Sequence, residues 1–286
     1  MTFIQVAILA IVQGLAELLP VSSSAHVIVA EKLMGLDPTA PSMTLLLVML
    51  HTGTMFAVIL YFWKDWKATY FASMQAFRRS AGAIVLATAA TGVVGLALLK
   101  LIPYAIGADR QTFEIEQLFG NPLVIAGGLA AAGVLIVWSG LSRRAASPHE
   151  AIDPKAALAI GAVQGLCLPF RGFSRSGATI STGLALGVAR QPAEAFSFAL
   201  AVVLTPAVIA KEGYRFIEAN AAQAGHSASL VQLAWPSLVG MALSFIAGLG
   251  ALRWLSRWLE QGRWHYFGFY CLVASVFVLA ARQWMH

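Results

Sequence analysis

Side chains able to act on a phosphate crowd into two short segments of an otherwise apolar chain. In the first, Gln13 and Glu17 stand four residues apart, on one face of any helix, and Ser22, Ser23, Ser24 and His26 follow directly. In the second, Arg171 precedes the run Gly172-Phe173-Ser174-Arg175-Ser176-Gly177-Ala178-Thr179. A serine attacks phosphorus when a base takes its proton, and His26 lies one helical turn beyond Ser23. Glu17, with Gln13, offers ligands to a divalent cation, Mg2+ first and Ca2+ second, because such ions take one or two carboxylates and complete their shell with substrate phosphates. Ser174 and Ser176 are N-cap residue types, the free N–H groups of a helix start bind anions, and Arg175 can grip a phosphate with two parallel hydrogen bonds. These residue types describe metal-assisted phosphoryl transfer, with Glu17, Ser23, His26 and Arg175 as the reacting set and the hydroxyls of Ser22, Ser24, Ser174, Ser176 and Thr179 as phosphate ligands.

The elements that must position these groups follow from composition. Of 286 residues, 59% are hydrophobic and 11% charged, against about 25% charged in a soluble globule. That deficit excludes a water-soluble enzyme, a nucleic-acid-binding protein and a disordered chain, and indicates a bilayer. The formal net charge of +6 then reads as Lys and Arg held on the cytoplasmic side of a membrane. Cys167 and Cys271 are too far apart and too few for a disulfide framework or a metal-ligand spacing. Thr2 to Ala16 is uncharged and the first charge is acidic, unlike the basic opening of a signal peptide, so the first segment is expected to be retained.

Apolar windows with at most one charge, near the roughly 20 residues needed to cross hydrocarbon, fall at Met43 to Trp63, Ala81 to Ile102, Asn121 to Leu141, Glu194 to Ala210, Leu233 to Leu252 and Tyr266 to Ala281. Two further pairs of shorter apolar helices, within 3–34 and 155–189, are each interrupted by a Pro/Gly/Ser-rich break, the pattern of a re-entrant hairpin. Val12-Gln13-Gly14-Leu15 recurs as Val163-Gln164-Gly165-Leu166, each run leading into a serine-rich break. The chain therefore reads as an all-α integral membrane protein of one functional domain, with a first repeat over 1–142 and a second over 155–286. Each half is a hairpin plus three crossings. Three is odd, so the second half is expected to be inverted, with the two hairpins facing near the midplane. Basic residues agree: Lys64, Lys67, Arg78 and Arg79, then Arg143, Arg144 and Lys155, then Arg253, Arg257 and Arg263 all fall on one side if the crossings alternate. Asp109, Glu114 and Glu116 fall on the other side, and Lys211 and Arg215 dissent.

A carboxylate at mid-bilayer costs about 3 kcal/mol on insertion scales, which makes Glu17 a site residue by default. Arg175, flanked by hydroxyls and glycine, fits a headgroup-snorkelling role poorly. His51, inside the first crossing beside Thr52 and Gly53, could face the site too, but reads first as a helix-packing histidine.

The two motifs resemble those of the bacterial undecaprenyl-diphosphate phosphatases of the BacA type. Gln13-Gly14-Leu15-Ala16-Glu17 resembles the family's (E/Q)xxxE element, Pro20-Val21-Ser22-Ser23-Ser24-Ala25-His26 its PVSSxxH, and Gly172 to Thr179 its PGxSRSxxT, with similar order and hydropathy across essentially the whole chain. The resemblance implies a multi-pass enzyme of the bacterial cytoplasmic (inner) membrane that hydrolyses undecaprenyl diphosphate to the monophosphate, recycling the lipid carrier for peptidoglycan, and that confers bacitracin resistance on overexpression. It implies Glu17 as essential acid or metal ligand, Ser23 as nucleophile, His26 as base or proton carrier, and Arg175 as diphosphate clamp. Partners are then the polyprenyl diphosphate and membrane lipids, with a homodimer left open. The chain departs from the pattern at Gln13, the neutral option of the first element, at Arg171, where the family has proline and an arginine adds a second cation to bind the phosphate, and at Ala25. A polyprenyl-phosphate flippase on the same inverted repeat is the alternative, since it needs the anion site and no nucleophile. Phosphatases that use two histidines fit less well, because no histidine follows Ser174-Arg175-Ser176 within a turn or two.

Overall fold

A computed structural model describes residues 1–36, 41–107, 118, 121–142, 149–222 and 230–281; within them some side chains, Ser24 among them, lie outside the description. Arg143, Arg144, Asp109, Glu114 and Glu116 lie outside the described residues, as do the side chains of Lys211 and Arg215. Among the described residues ten helices follow in order: α1 (Phe3–Leu18), α2 (Ser23–Leu33), α3 (Pro41–Thr69), α4 (Met74–Ala105), α5 (Pro122–Leu141), α6 (Pro154–Cys167), α7 (Arg175–Ala185), α8 (Arg190–Ala222), α9 (Leu230–Glu260) and α10 (His265–Ala280). Among the described residues the only β pairing is an isolated bridge between His149 and Val188. The protein is an all-α membrane protein.

Local chemistry sets the helix starts. Thr2 caps α1 in a reciprocal capping box with Gln5. Asp153 accepts from the Ala156 N–H at 2.7 Å, and Pro154 supplies the first helical residue of α6, where a missing N–H costs nothing. Four of the six expected crossings, α3, α4, α5 and α9, are long and apolar enough to span a bilayer. The other two are shorter in apolar length: α10 is a helix of 16 residues, and the charge-free middle of α8 is bounded by Glu194 and Lys211. Large apolar side chains such as Val93, Tyr104 and Val273 point outward from these helices, as lipid-facing residues do.

The helices gather into two packing units. The first comprises Met1–Leu19, Ser23–Trp63 and Ala201–Leu255. Its core is Val6, Leu9 and Ala10 of α1 with Val27 of α2 and Met43, Leu46 and Leu50 of α3. Helix α9 closes on α1 at Gly14, where a Cβ would stand 2.6 Å from Ala247 Cβ and 2.8 Å from the Ser244 carbonyl. Ser244 Oγ also donates to the Leu50 carbonyl at 2.9 Å, fixing α9 against α3.

The second unit comprises Pro20–Ser22, Lys64–Leu200 and Ser256–His286. Here α6 lies on α4 and α10 on α5. At Gly165 a Cβ would meet Val94 Cβ at 2.7 Å and the Thr91 carbonyl at 2.8 Å, while Thr91 Oγ1 accepts from Gln164 Nε2 at 3.1 Å. Gly133 and Gly268 leave the same kind of room between α5 and α10, a small-residue contact typical of helices packed in lipid. An alanine-rich core of Ala83, Ala87, Ala156, Ala157 and Ala193 lets the backbones approach, with Phe196 and Ile160 filling the remainder. At one end of this unit, Trp66 Nε1 donates to the Ala195 carbonyl at 3.1 Å and an Arg190 guanidinium N–H to the Glu260 carbonyl at 2.5 Å. These bonds tie the end of α3 and the end of α9 to the start of α8.

Candidate active site

Helix α1 ends where Pro20 cannot continue it, and α2 restarts at Ser23, so Glu17 sits one turn before the break and Ser23 just after it. Glu17 Oε2 is the focus. Ser23 Oγ donates to it at 2.6 Å and Gln13 Nε2 at 3.3 Å, the latter along one helical face. A contact of 2.6 Å is in the range of a charge-assisted O–H···O bond and aims the serine proton at the carboxylate. Gln13 is buried, whereas the Glu17 side chain keeps 19% of its surface accessible. His26 is half-buried one turn into α2, and Ser23 donates to Glu17 rather than to His26, the base expected from spacing.

His51 joins this cluster, against the packing role expected for it. Its Nδ1 lies 2.8 Å from the Leu47 carbonyl, which only accepts, so Nδ1 carries the proton. Nε2 then faces Glu17 Oε2 at 3.8 Å. Nothing in the spacing of α3 marks this face. The one available signal is that an ionisable residue inside an apolar span is a site residue by default.

Backbone geometry singles out the break itself. Ser22, buried, has φ 68, the sole positive φ among described non-glycine residues. A left-handed serine costs on the order of 1 kcal/mol, and such residues gather at functional sites. The Ser24 side chain lies outside the described residues.

In the second hairpin α6 stops at Cys167 and α7 begins at Arg175, with Arg171 half-buried in the break and Gly172 at φ 97. Gly172 is required twice over, for its left-handed backbone and because a Cβ there would run into the Ile125 carbonyl of α5. Ser174 caps α7, accepting from the Gly177 N–H at 3.3 Å, and its Oγ lies 3.4 Å from Ser176 Oγ. Both serines are buried. Thr179 is fully buried, donating to the Arg175 carbonyl at 2.8 Å and lying 2.6 Å from Ser197 Oγ, so it ties the first turn of α7 to α8. The result is a positive helix start carrying the half-buried Arg175 guanidinium, an arrangement suited to an anion.

Within the second unit this helix start adjoins the break of the first hairpin. A Cβ added at Gly177 would stand 3.2 Å from Pro20 Cβ and 2.8 Å from Ile136 Cδ1. Cys271 Sγ of α10 donates to the Pro20 carbonyl at 3.2 Å, which anchors the same turn. Both cysteines are free thiols.

Residues 6–277 match the family model for "Bacitracin resistance protein BacA". The chain is 60% identical over 280 residues, 98% of each chain, to a protein of Acinetobacter baylyi named "Undecaprenyl-diphosphatase 2". Proteins named "Undecaprenyl-diphosphatase" from Rhodopirellula baltica and Korarchaeum cryptofilum are 30% and 31% identical, covering 96% and 98% of this chain. With its two hairpins in sequence order and a match running nearly end to end, the chain belongs to the BacA family.

Proposed function

We propose that the protein hydrolyses undecaprenyl diphosphate to undecaprenyl phosphate and inorganic phosphate in the bacterial cytoplasmic membrane, recycling the lipid carrier of cell-wall synthesis. The observation that carries this reading is the 2.6 Å contact from Ser23 Oγ to Glu17 Oε2. It is a nucleophile with its base, and a carrier that only translocates lipid has no use for one.

Glu17 takes the Ser23 proton as Oγ attacks the terminal phosphorus. The bond to the bridging oxygen breaks, undecaprenyl phosphate leaves, and a phosphoserine remains; water then releases phosphate and the proton returns to Ser23. His26 relays the proton of that water. Arg175, the α7 N–H groups, Ser174 and Ser176 bind the non-bridging oxygens, with Arg171, Ser22 and Ser24 as further donors, and Thr179 steadies the turn that presents Arg175. Among the described residues no three His, Cys, Asp or Glu cluster together. A single accessible carboxylate beside an amide therefore suits Mg2+, which keeps water and substrate phosphate in its shell. Glu17 and Gln13 would hold that ion, and when bound it neutralises charge on the phosphate oxygens.

We also propose that the halves 1–142 and 155–286 form an inverted repeat. Supporting this, α1 meets α9 at Gly14 while α6 meets α4 at Gly165, so each hairpin lies on the middle long helix of the other half.

The deciding experiment incubates purified protein with undecaprenyl diphosphate and Mg2+, with and without chelator, and measures phosphate. Release that chelator suppresses is expected. Absence of release together with movement of a polyprenyl phosphate between leaflets would overturn the reading in favour of a flippase.

A further inference from the structure

The second packing unit holds a cavity of about 500 Å3 between the α3–α4 turn, the segment before α6 and the start of α8. Nothing in the proposed hydrolysis uses it. Its floor is apolar, with Ala83, Ala195 and Phe196 buried, and its rim carries Asp65, Arg79 and Glu150. Among the described residues none of these three charges pairs with an opposite charge within 4 Å. The rim is nevertheless well fixed. Trp66 Nε1 binds the Ala195 carbonyl, and His149 bonds by both N–H and carbonyl to Gly187 and Ala189, which holds Glu150 beside the start of α8.

The depth of the cavity identifies its surroundings. Helix α3 ends at Thr69 and α4 begins at Met74, and Lys64, Lys67, Arg78 and Arg79 near those ends mark the edge of the hydrocarbon. Around that turn Trp66 stacks on Tyr70 at 6.5 Å and Phe71 on Phe77 at 5.8 Å, with Trp63, Phe71, Met74 and Phe77 exposed. Aromatic residues at the ends of spans mark the headgroup layer. Burial pushes the Tyr70 phenol up from its ordinary range, so it lines the cavity as a neutral hydroxyl.

We propose that this cavity binds the headgroup of an ethanolamine phospholipid from the surrounding leaflet. Arg79 takes the phosphate, and Asp65 and Glu150 take the primary ammonium, whose three N–H donors match two carboxylates. The apolar floor receives the glycerol and first acyl carbons. An anionic glycerol headgroup would bring negative charge against Asp65 and Glu150 with no ammonium to offset it. A choline headgroup has a cation but no N–H to donate.

The test uses full-length protein purified in detergent, with thermal unfolding and native mass spectrometry after addition of phosphatidylethanolamine, phosphatidylglycerol, phosphatidylcholine or soluble phosphoethanolamine. Phosphatidylethanolamine alone is expected to be retained and to raise the melting temperature. Arg79→Ala and Glu150→Gln are each expected to weaken that retention about tenfold, the scale of one lost charge-assisted contact, while phosphate release stays unchanged. Glu150→Gln preserves size and keeps the test open where Arg79→Ala lowers yield. Equal retention of the glycerol or choline lipid, equal stabilisation by soluble phosphoethanolamine, or an unaltered phosphatidylethanolamine effect in both variants would each overturn the assignment.

Discussion

Gln13 and Gln164 occupy the same place in the repeated Val-Gln-Gly-Leu run, and their side chains are used differently. Gln13 donates to Glu17, four residues further along α1. Gln164 turns instead to Thr91 of α4, and the residue four places on is Leu168, exposed and apolar. The glycines that follow do the same work in both hairpins: Gly14 lets α9 approach and Gly165 lets α4 approach, each through contact with backbone or small side chains. In the proposed repeat the close helix contact at each glycine is shared, while the neighbouring polar position differs. The proposed base and nucleophile, Glu17 and Ser23, lie in the first hairpin, and the proposed phosphate ligands Arg175 and the start of α7 in the second.

The asymmetry is broken most severely at Glu17. Glu17→Gln is expected to lower kcat by about 10^3, within the range for loss of a positioned general base, whereas Leu168→Ala at the matching place leaves turnover nearly intact. Ser23→Ala is expected to be as damaging, and adding it to Glu17→Gln to cost little more, because the two act as one unit. Arg175→Ala is expected to cost about 10^2 to 10^3, the scale of a lost transition-state donor. Phosphate release at saturating substrate measures all of them. Any single variant retaining more than about a tenth of the rate, roughly 1.4 kcal/mol in barrier, drops out of the reacting set.

The shared part of the comparison predicts a shared cost. Gly14→Val and Gly165→Val are each expected to destabilise the protein by about 1–3 kcal/mol through overpacking, read as a lower melting temperature in detergent. Gly14→Val should also slow turnover, since it displaces the turn carrying Gln13 and Glu17. A neutral effect on stability at either glycine would remove the reciprocal contact as an argument for the repeat.

Both breaks were legible in the sequence because proline, glycine and serine interrupt runs that are otherwise apolar. Helix ends were less so. Helix α3 continues past Trp63 to Thr69 and α4 starts at Met74 rather than Ala81. Lys64, Lys67, Arg78 and Arg79 are good helix formers, so charge marks the edge of the hydrocarbon and not the end of the helix. Glu17, Ser23 and Arg175 could be picked out as ionisable or hydroxyl groups in apolar surroundings. His51 could not be assigned to the cluster, because its approach to Glu17 depends on how α3 is rotated against α1, which periodicity within α3 does not encode. The buried pair of Glu194 and Ser256, whose oxygens lie 2.6 Å apart across α8 and α9, escaped for the same reason.

A smaller effect is expected at Arg171, which stands where the family pattern has proline. If its guanidinium contributes to binding the diphosphate, Arg171→Pro raises KM several-fold, about 1 kcal/mol, with kcat little changed. An unaltered or lower KM would show that the residue serves only the turn. That outcome would align Arg171 with Pro20, its counterpart in the first hairpin, as a residue of the scaffold.

The finest distinction lies in how the two breaks turn. The second uses Gly172 at φ 97, where glycine carries no steric penalty; the first places Ser22 at φ 68, where a side chain does. Ser22→Gly should therefore relieve strain of about 1 kcal/mol, offset by about 0.4–1 kcal/mol because glycine gives the unfolded chain more freedom. The net change in stability is expected to be slight and favourable. Ser22→Ala removes the same hydroxyl but keeps the penalty, so the pair of variants separates backbone from side chain. If the strained turn serves to hold Ser23 against Glu17, Ser22→Gly slows phosphate release more than Ser22→Ala does, even though it is the more stable protein. The reverse order, with alanine slower and glycine near wild type, would assign the role of Ser22 to its hydroxyl. The two breaks would then differ in a ligand to phosphate and not in stored strain.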